Sequence, residues 1–205
     1  MIQLHDYWRS SASYRVRIAL GLAALEWESL PVDLVAGVQR SEAHLKRNPQ
    51  GLVPVLEIDD VSLTQSLAIV EYLSETRGLG LVPETALDRA RVRALAHALA
   101  MEIHPVCNLR VAKFAVANSD GKLTMQSWMQ EFITQGFMAF ETMLRNGRYC
   151  YGDTVSLADV CLLPQLYNAH RWEVDLSDMP KIRAIEAELN KIPAFEQAHP
   201  DRWNI

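Results

Sequence analysis

The chain changes pattern once, at residues 78–85, a stretch that holds two glycines and Pro83. Before it, short apolar runs with strand spacing alternate with helical periodicities. After it, only helical periodicities remain. Strand candidates lie at 2–7, 26–34, 53–58 and 61–63, the last two flanking Asp59-Asp60 as a hairpin. Helix candidates lie at 13–22, 41–46 and 66–76. The order βαβαββα, with a helical crossover and a terminal hairpin, predicts a thioredoxin-like α/β domain over residues 1–80. Segments 88–117, 123–144, 156–171 and 179–191 read as helices, so residues 87–205 are expected to form an all-helical domain. The expected fold class is therefore α/β plus all-α.

Composition narrows the function classes. At 205 residues and 49% hydrophobic, the chain can bury a sizeable core. A net charge of -5, with acids and bases interspersed, offers no basic stripe for nucleic acid. No apolar stretch reaches about 18 residues, so no membrane span is expected. No basic region followed by an apolar run opens the chain, so no secretory signal is expected either. Cys107, Cys150 and Cys161 are odd in number and lack CxxC spacing. That fits reduced thiols in the cytoplasm, with no disulfide framework and no metal site.

Three places could carry chemistry. The first is Arg9-Ser10-Ser11-Ala12-Ser13, between the first strand and the first helix. Its hydroxyls can cap the helix. Backbone N–H groups and the helix dipole at the same spot can also hold an anion, and Arg9 adds a positive charge. The second is Val53-Pro54, which is either an ordinary strand-initiating proline or a cis bond that exposes the backbone of Val53. The third is Gln65-Ser66, where Ser66 can cap the last helix of the small domain or help that helix end hold a carboxylate. Other residues read as structural. Ser156 and Asp159 form a capping-box variant ahead of a helix that is apolar almost all round. His104 and Cys107, around Pro105, have no second pair to complete a metal site and read as cleft-wall or packing residues. Trp172 and Trp203 read as packing residues.

The segments RSSASYRVRIAL, NPQGLVPVLEIDD, LTQSLAIVEYL and VSLADVCLLPQ together resemble the zeta-type glutathione transferases, across nearly the whole chain. The serine-rich and TQSLAI segments are specific to that class, whereas the SLAD helix is shared more widely. The resemblance implies glutathione as cofactor, bound between two domains, and a homodimer. It implies that Ser11, with Ser10 nearby, activates the glutathione thiol. Val53, presented by a cis Pro54, would contact the cysteinyl backbone, and Gln65 and Ser66 would hold the γ-glutamyl end. Gln39 would reach the glycine end. Arg9, Arg110 and Arg171 fall where related isomerases carry substrate-binding arginines, and His104 falls near glutathione or the partner subunit. Many members read SSCS where this chain reads SSAS, so Ala12 removes a thiol beside the site.

The implied activity is cis–trans isomerisation of a small maleyl dicarboxylate, maleylacetoacetate or maleylpyruvate. Thiolate addition makes the double bond single, rotation follows, and expulsion of the thiolate gives the fumaryl isomer. A free thiol has a pKa of about 8.5, so a hydroxyl donor at a helix amino end is needed to favour the thiolate. Arginines suit both substrate carboxylates and the developing enolate. Two other readings compete: a general zeta-type transferase acting on small electrophiles or haloacids, and a non-catalytic binding module. Intact Ser11, Gln65 and Ser66 oppose the module, and three arginines oppose a general detoxifying pocket, which would be apolar.

Overall fold

The computed structural model describes residues 1–204. The chain forms two compact units, one of Met1–Leu81 with the segment from Ile192 onward, the other of Val82–Lys191. The helical part expected over 87–205 thus gives up its last stretch to the first unit. The reason is specific packing. The Phe195 carbonyl accepts from the Tyr14 hydroxyl at 3.4 Å, and the Ala198 carbonyl accepts from Arg17 Nε at 3.2 Å. The Trp203 ring stacks on Trp27 at 5.3 Å between centroids. Trp203 is a packing residue, as its sequence context suggests.

The first unit holds β1 (Gln3–Asp6), α1 (Ser11–Leu22), β2 (Glu28–Pro31), α2 (Glu42–Arg47), β3 (Val55–Ile58), β4 (Val61–Thr64) and α3 (Ser66–Thr76). The four strands run in the order β2-β1-β3-β4. β1 pairs parallel with β2 (Leu4 beside Ser29) and antiparallel with β3 (Leu4 beside Leu56), and β3 and β4 form the expected hairpin. This is the thioredoxin-like arrangement. α1 packs against α3, and Tyr14, Val16, Ile18, Ala19 and Leu20 are all buried. Its two arginines are buried as well. Arg17 ion-pairs with Asp6 at 2.6 Å, and Ser29 donates to the other Asp6 oxygen at 2.9 Å. Removing one member of such a pair strands the other charge, at a cost of about 3–5 kcal/mol.

The second unit is helical: α4 (Ala86–His97), a π-helical turn (Ala98–Ile103), α5 (His104–Val106), α6 (Leu109–Ala117), α7 (Met125–Met143), α8 (Leu157–Arg171) and α9 (Pro180–Leu189). A last helix, α10 (Pro193–Gln197), belongs to the segment that joins the first unit. The single helix expected over 88–117 is instead broken twice. The π turn brings Ile103 against Gly136 of α7, where an added Cβ would lie 2.4 Å from the Ile103 side chain. Pro105 then lacks the N–H needed to extend a helix, and Asn108 leaves the helical region (φ -62, ψ 136) to cap α6. α8 is the buried central helix its sequence predicts: Leu157 through Leu166 are all buried. Asp159 has the capping role expected of it. Its carboxylate accepts from the N–H of Ser156 and of Cys150, each at 2.8 Å. Among the described residues, no helix is long and apolar enough to cross a membrane.

Candidate functional site

In the first unit, the site starts at the turn from β1 into α1. The Tyr7 carbonyl accepts from the Ser10 N–H at 2.8 Å, which closes the turn. Ser10 is the N-cap of α1, its hydroxyl accepting from the Ser13 N–H at 3.2 Å. Ser10 is therefore committed to capping, and Ser11 is the first helical residue. Ser11 lies in a helix's first turn, where backbone N–H groups lack intrahelical partners and the dipole is positive. Arg17 pins the same turn by donating to the Trp8 carbonyl at 2.9 Å. Arg9 projects from this locked turn. Its guanidinium lies over the Trp8 ring, 4.7 Å from the centroid, and donates to the Tyr7 hydroxyl at 3.1 Å.

The second element is the Val53-Pro54 bond, which is cis. Pro54 is buried, and β3 begins one residue later. Among the described residues, nothing hydrogen-bonds the backbone N–H or carbonyl of Val53. A free donor and acceptor ahead of a strand suit a peptide-like ligand laid alongside.

The third element is the start of α3. Gln65 is non-glycine with φ 68 and ψ 108, a sparsely populated backbone state that recurs at functional sites. Ser66, expected as the cap, is instead the first residue of α3, with Gln65 in the cap position. The Ser66 hydroxyl is already engaged, accepting from Arg15 Nη1 at 3.2 Å. The Gln65 amide donates to Gln50 Oε1 at 2.6 Å. Gln50, which sequence reasoning did not single out, is placed by the Asn48-Pro49-Gln50-Gly51 turn, where Asn48 Oδ1 accepts the Gln50 N–H at 3.1 Å. Arg40 donates to the Gln50 carbonyl at 3.4 Å, and its side chain fills the space where a Cβ on Gly51 (φ 61) would sit. Gln39, in the short 3₁₀ turn Val38–Arg40, donates to the Leu34 carbonyl at 3.4 Å while its Oε1 is buried with no partner among the described residues.

The second unit carries the remaining candidates. Arg110 is exposed on the first turn of α6, its N–H capped by Asn108 at 3.1 Å. Arg171 is exposed at the end of α8, its guanidinium 4.8 Å from the Trp172 centroid. His104 lies half-buried in α5. Cys107 is buried, and burial pushes its thiol up to about 12. It is a packing residue, not a nucleophile.

A thioredoxin-like unit with a cis-proline ahead of β3, joined to a helical unit, defines the glutathione transferase class. Comparison with known proteins agrees. Residues 1–75 match the glutathione S-transferase N-terminal domain, and residues 107–197 match the C-terminal domain. The maleylacetoacetate isomerase of Rhizobium meliloti (strain 1021) is 57% identical over 204 residues, covering 97% of this chain and 96% of that one. The Mus musculus maleylacetoacetate isomerase is 44% identical, covering 97% and 92%. Among solved structures, a holo maleylpyruvate isomerase described as a bacterial zeta-class transferase superposes with TM-score 0.91 at 39% identity, covering 97% and 96%. The Methylobacterium extorquens AM1 maleylacetoacetate isomerase, solved with malonate and GSH bound, gives TM-score 0.91 at 39% identity, covering 98% and 97%. The chain belongs to the zeta-type glutathione transferase family.

Proposed function

We propose that this protein is a glutathione-dependent cis–trans isomerase that converts maleylacetoacetate to its fumaryl isomer. The observation that carries this reading is the turn at residues 7–11. It sets an arginine with no acidic partner within salt-bridge distance beside Ser11 and the positive end of α1. The reading is supported by the 57% identity to an enzyme of that activity.

The first unit's own groups fit glutathione, a peptide with a thiol and an anionic amino-acid end. Val53 offers a free N–H and carbonyl, and the buried Gln39 Oε1 offers an acceptor without a partner. The amino end of α3, with Ser66, Gln65 and its neighbour Gln50, suits a carboxylate and an amine. When bound, glutathione supplies a thiolate that adds to the substrate alkene and is expelled after rotation. Ser11 donates its hydroxyl proton as a hydrogen bond to that sulfur, and the α1 dipole favours the anion. Arg9 binds a substrate carboxylate and stabilises negative charge that develops during addition. Arg110 and Arg171 are assigned to the remaining substrate anions on the strength of the resemblance. Ala12 leaves the hydroxyl of Ser11 in place, so the reaction class is retained.

The same reading makes the protein a cytoplasmic homodimer acting in aromatic amino-acid catabolism. Sedimentation at micromolar concentration should give roughly twice the 23.2 kDa of one chain. The activity is tested directly by assaying maleylacetoacetate and maleylpyruvate, each with and without glutathione. Turnover of maleylacetoacetate only with glutathione is expected. Faster turnover of maleylpyruvate would reassign the substrate. Conjugation of haloacids without isomerisation would overturn the isomerase.

A further inference from the structure

We propose that Tyr7 is a positioning residue for substrate: its hydroxyl, together with the Trp8 ring, holds the Arg9 guanidinium in one orientation and thereby sets affinity for the substrate carboxylate. The inference rests on the reading of Arg9 as the carboxylate ligand.

An arginine on a turn is ordinarily mobile, because its long stem has many rotamers. Arg9 is held at several points. Its backbone belongs to the turn closed by the Ser10 N–H to Tyr7 carbonyl bond of 2.8 Å. The Trp8 carbonyl in that turn is fixed at 2.9 Å by Arg17, which the buried Asp6 anchors at 2.6 Å. The Tyr7 N–H lies 3.5 Å from the Ser13 hydroxyl of α1. The side chain is then held twice more: one face lies over the Trp8 indole, 4.7 Å from its centroid, and Nη2 donates to the Tyr7 hydroxyl at 3.1 Å. The Tyr7 and Trp8 rings are themselves in contact, 6.1 Å apart at 50°.

This clamp spends one guanidinium donor on Tyr7 and leaves four of the five N–H groups available. No carboxylate of the described residues pairs with Arg9, although eleven other cations among them, histidines included, pair with acids. A phenol and an indole suit such a device, because they orient a cation without cancelling its charge. A carboxylate in the place of Tyr7 would hold Arg9 more tightly and abolish its use. Preorganising the guanidinium removes the ordering cost that substrate binding would otherwise carry.

The test is a double-mutant cycle in the full-length protein with glutathione present, using Tyr7→Phe, Arg9→Ala and the pair. Tyr7→Phe removes one oxygen and keeps the ring. It should raise both KM for the maleyl substrate and the inhibition constant of malonate by roughly 5- to 30-fold, with kcat changed less than about twofold. Its thermal midpoint should match that of the parent. In the Arg9→Ala background the same substitution should change neither constant by more than about twofold, because Tyr7 then has nothing to orient. Equal effects in both backgrounds would mean that Tyr7 acts by itself or through the fold, and would overturn the proposal. So would an inert Tyr7→Phe beside a damaging Arg9→Ala, with the role of Arg9 intact. If Arg9→Ala leaves both constants unchanged, the carboxylate assignment fails first and takes the proposal with it.

Discussion

At the residue scale, Ser11 and Ser10 show how neighbouring serines divide the work. Ser10 spends its hydroxyl on the Ser13 N–H and caps α1. Ser11, in the first helical turn, is the residue proposed to serve the sulfur. On the proposed reading, Ser11→Ala should lower kcat/KM on the order of 10²-fold, as loss of a donor to a developing anion does elsewhere. The sign on the thiol follows directly. Losing a donor to the thiolate disfavours the charged form, so ionisation of bound glutathione should move up by about one to two pH units. Ultraviolet titration of the bound thiolate reads this, and an unmoved titration with unchanged turnover would remove Ser11 from the mechanism. The protein's own thiols behave oppositely. All three cysteines are buried. Burial alone pushes Cys107 up to about 12, while burial together with the neighbouring Asp159 carboxylate raises Cys150 well above the ordinary thiol value. Both stay protonated at pH 8, so alkylation by iodoacetamide should be slow until the protein unfolds. Because the unfolded thiol ionises first, these groups should also make stability fall as pH rises from about 9 toward 12. A fast-reacting thiol in the native protein at pH 8 would contradict this account.

At the element scale, the helix termini carry stability and, on the proposed reading, the chemistry as well. The α8 start depends on Asp159, which satisfies the N–H groups of Cys150 and Ser156 and accepts the Ser156 hydroxyl at 2.7 Å. Asp159→Ala would orphan buried donors in the most buried helix of its unit. It should cost about 2–5 kcal/mol, seen in denaturant unfolding as a lower midpoint with an unchanged slope. The α6 start matters for a different reason. Asn108 ends one helical stretch and opens another, and so sets where Arg110 projects. A helical periodicity running from 88 to 117 hides this, since apolar spacing survives a π turn and a cap. Pro105 is the local sign of the break. The second cause, Ile103 seated against Gly136, is a contact across 33 residues that no local pattern contains.

At the scale of the whole molecule, the segment after Lys191 is part of the first unit's core. Ending the chain at Lys191 removes Phe195, fully buried, along with the carbonyl acceptors of Tyr14 and Arg17 and the ring stacked on Trp27. The truncated chain should lose at least 3–5 kcal/mol, the range for emptying one buried aromatic position. Loss should appear in the sheet-containing unit, so hydrogen exchange should rise in β1 and α1 before α8. Equal protection in β1 and α1 with and without the segment would refute this docking.

The sequence by itself determined the strands and helices of the first 80 residues and their order, because strand alternation, helical period, turn residues and caps are local properties of neighbouring side chains. The breaks within 88–117 and the helix after Lys191 were not legible in it. It determined the seats of Arg9, Ser11, Val53-Pro54 and Gln65 for the same reason: each lies where one element ends and another begins. Tertiary structure decided what those residues touch. Ser66 accepts from Arg15 across 51 positions, Gln65 meets Gln50 across 15, and the closing segment reaches α1 across 181. Such pairings depend on how strands register and helices pack, and a hydrogen bond or a filled cavity has no periodicity to read. Tyr7 shows the boundary most closely. It stands two residues from Arg9 in the chain, yet only the fold of the intervening turn brings its hydroxyl to the guanidinium.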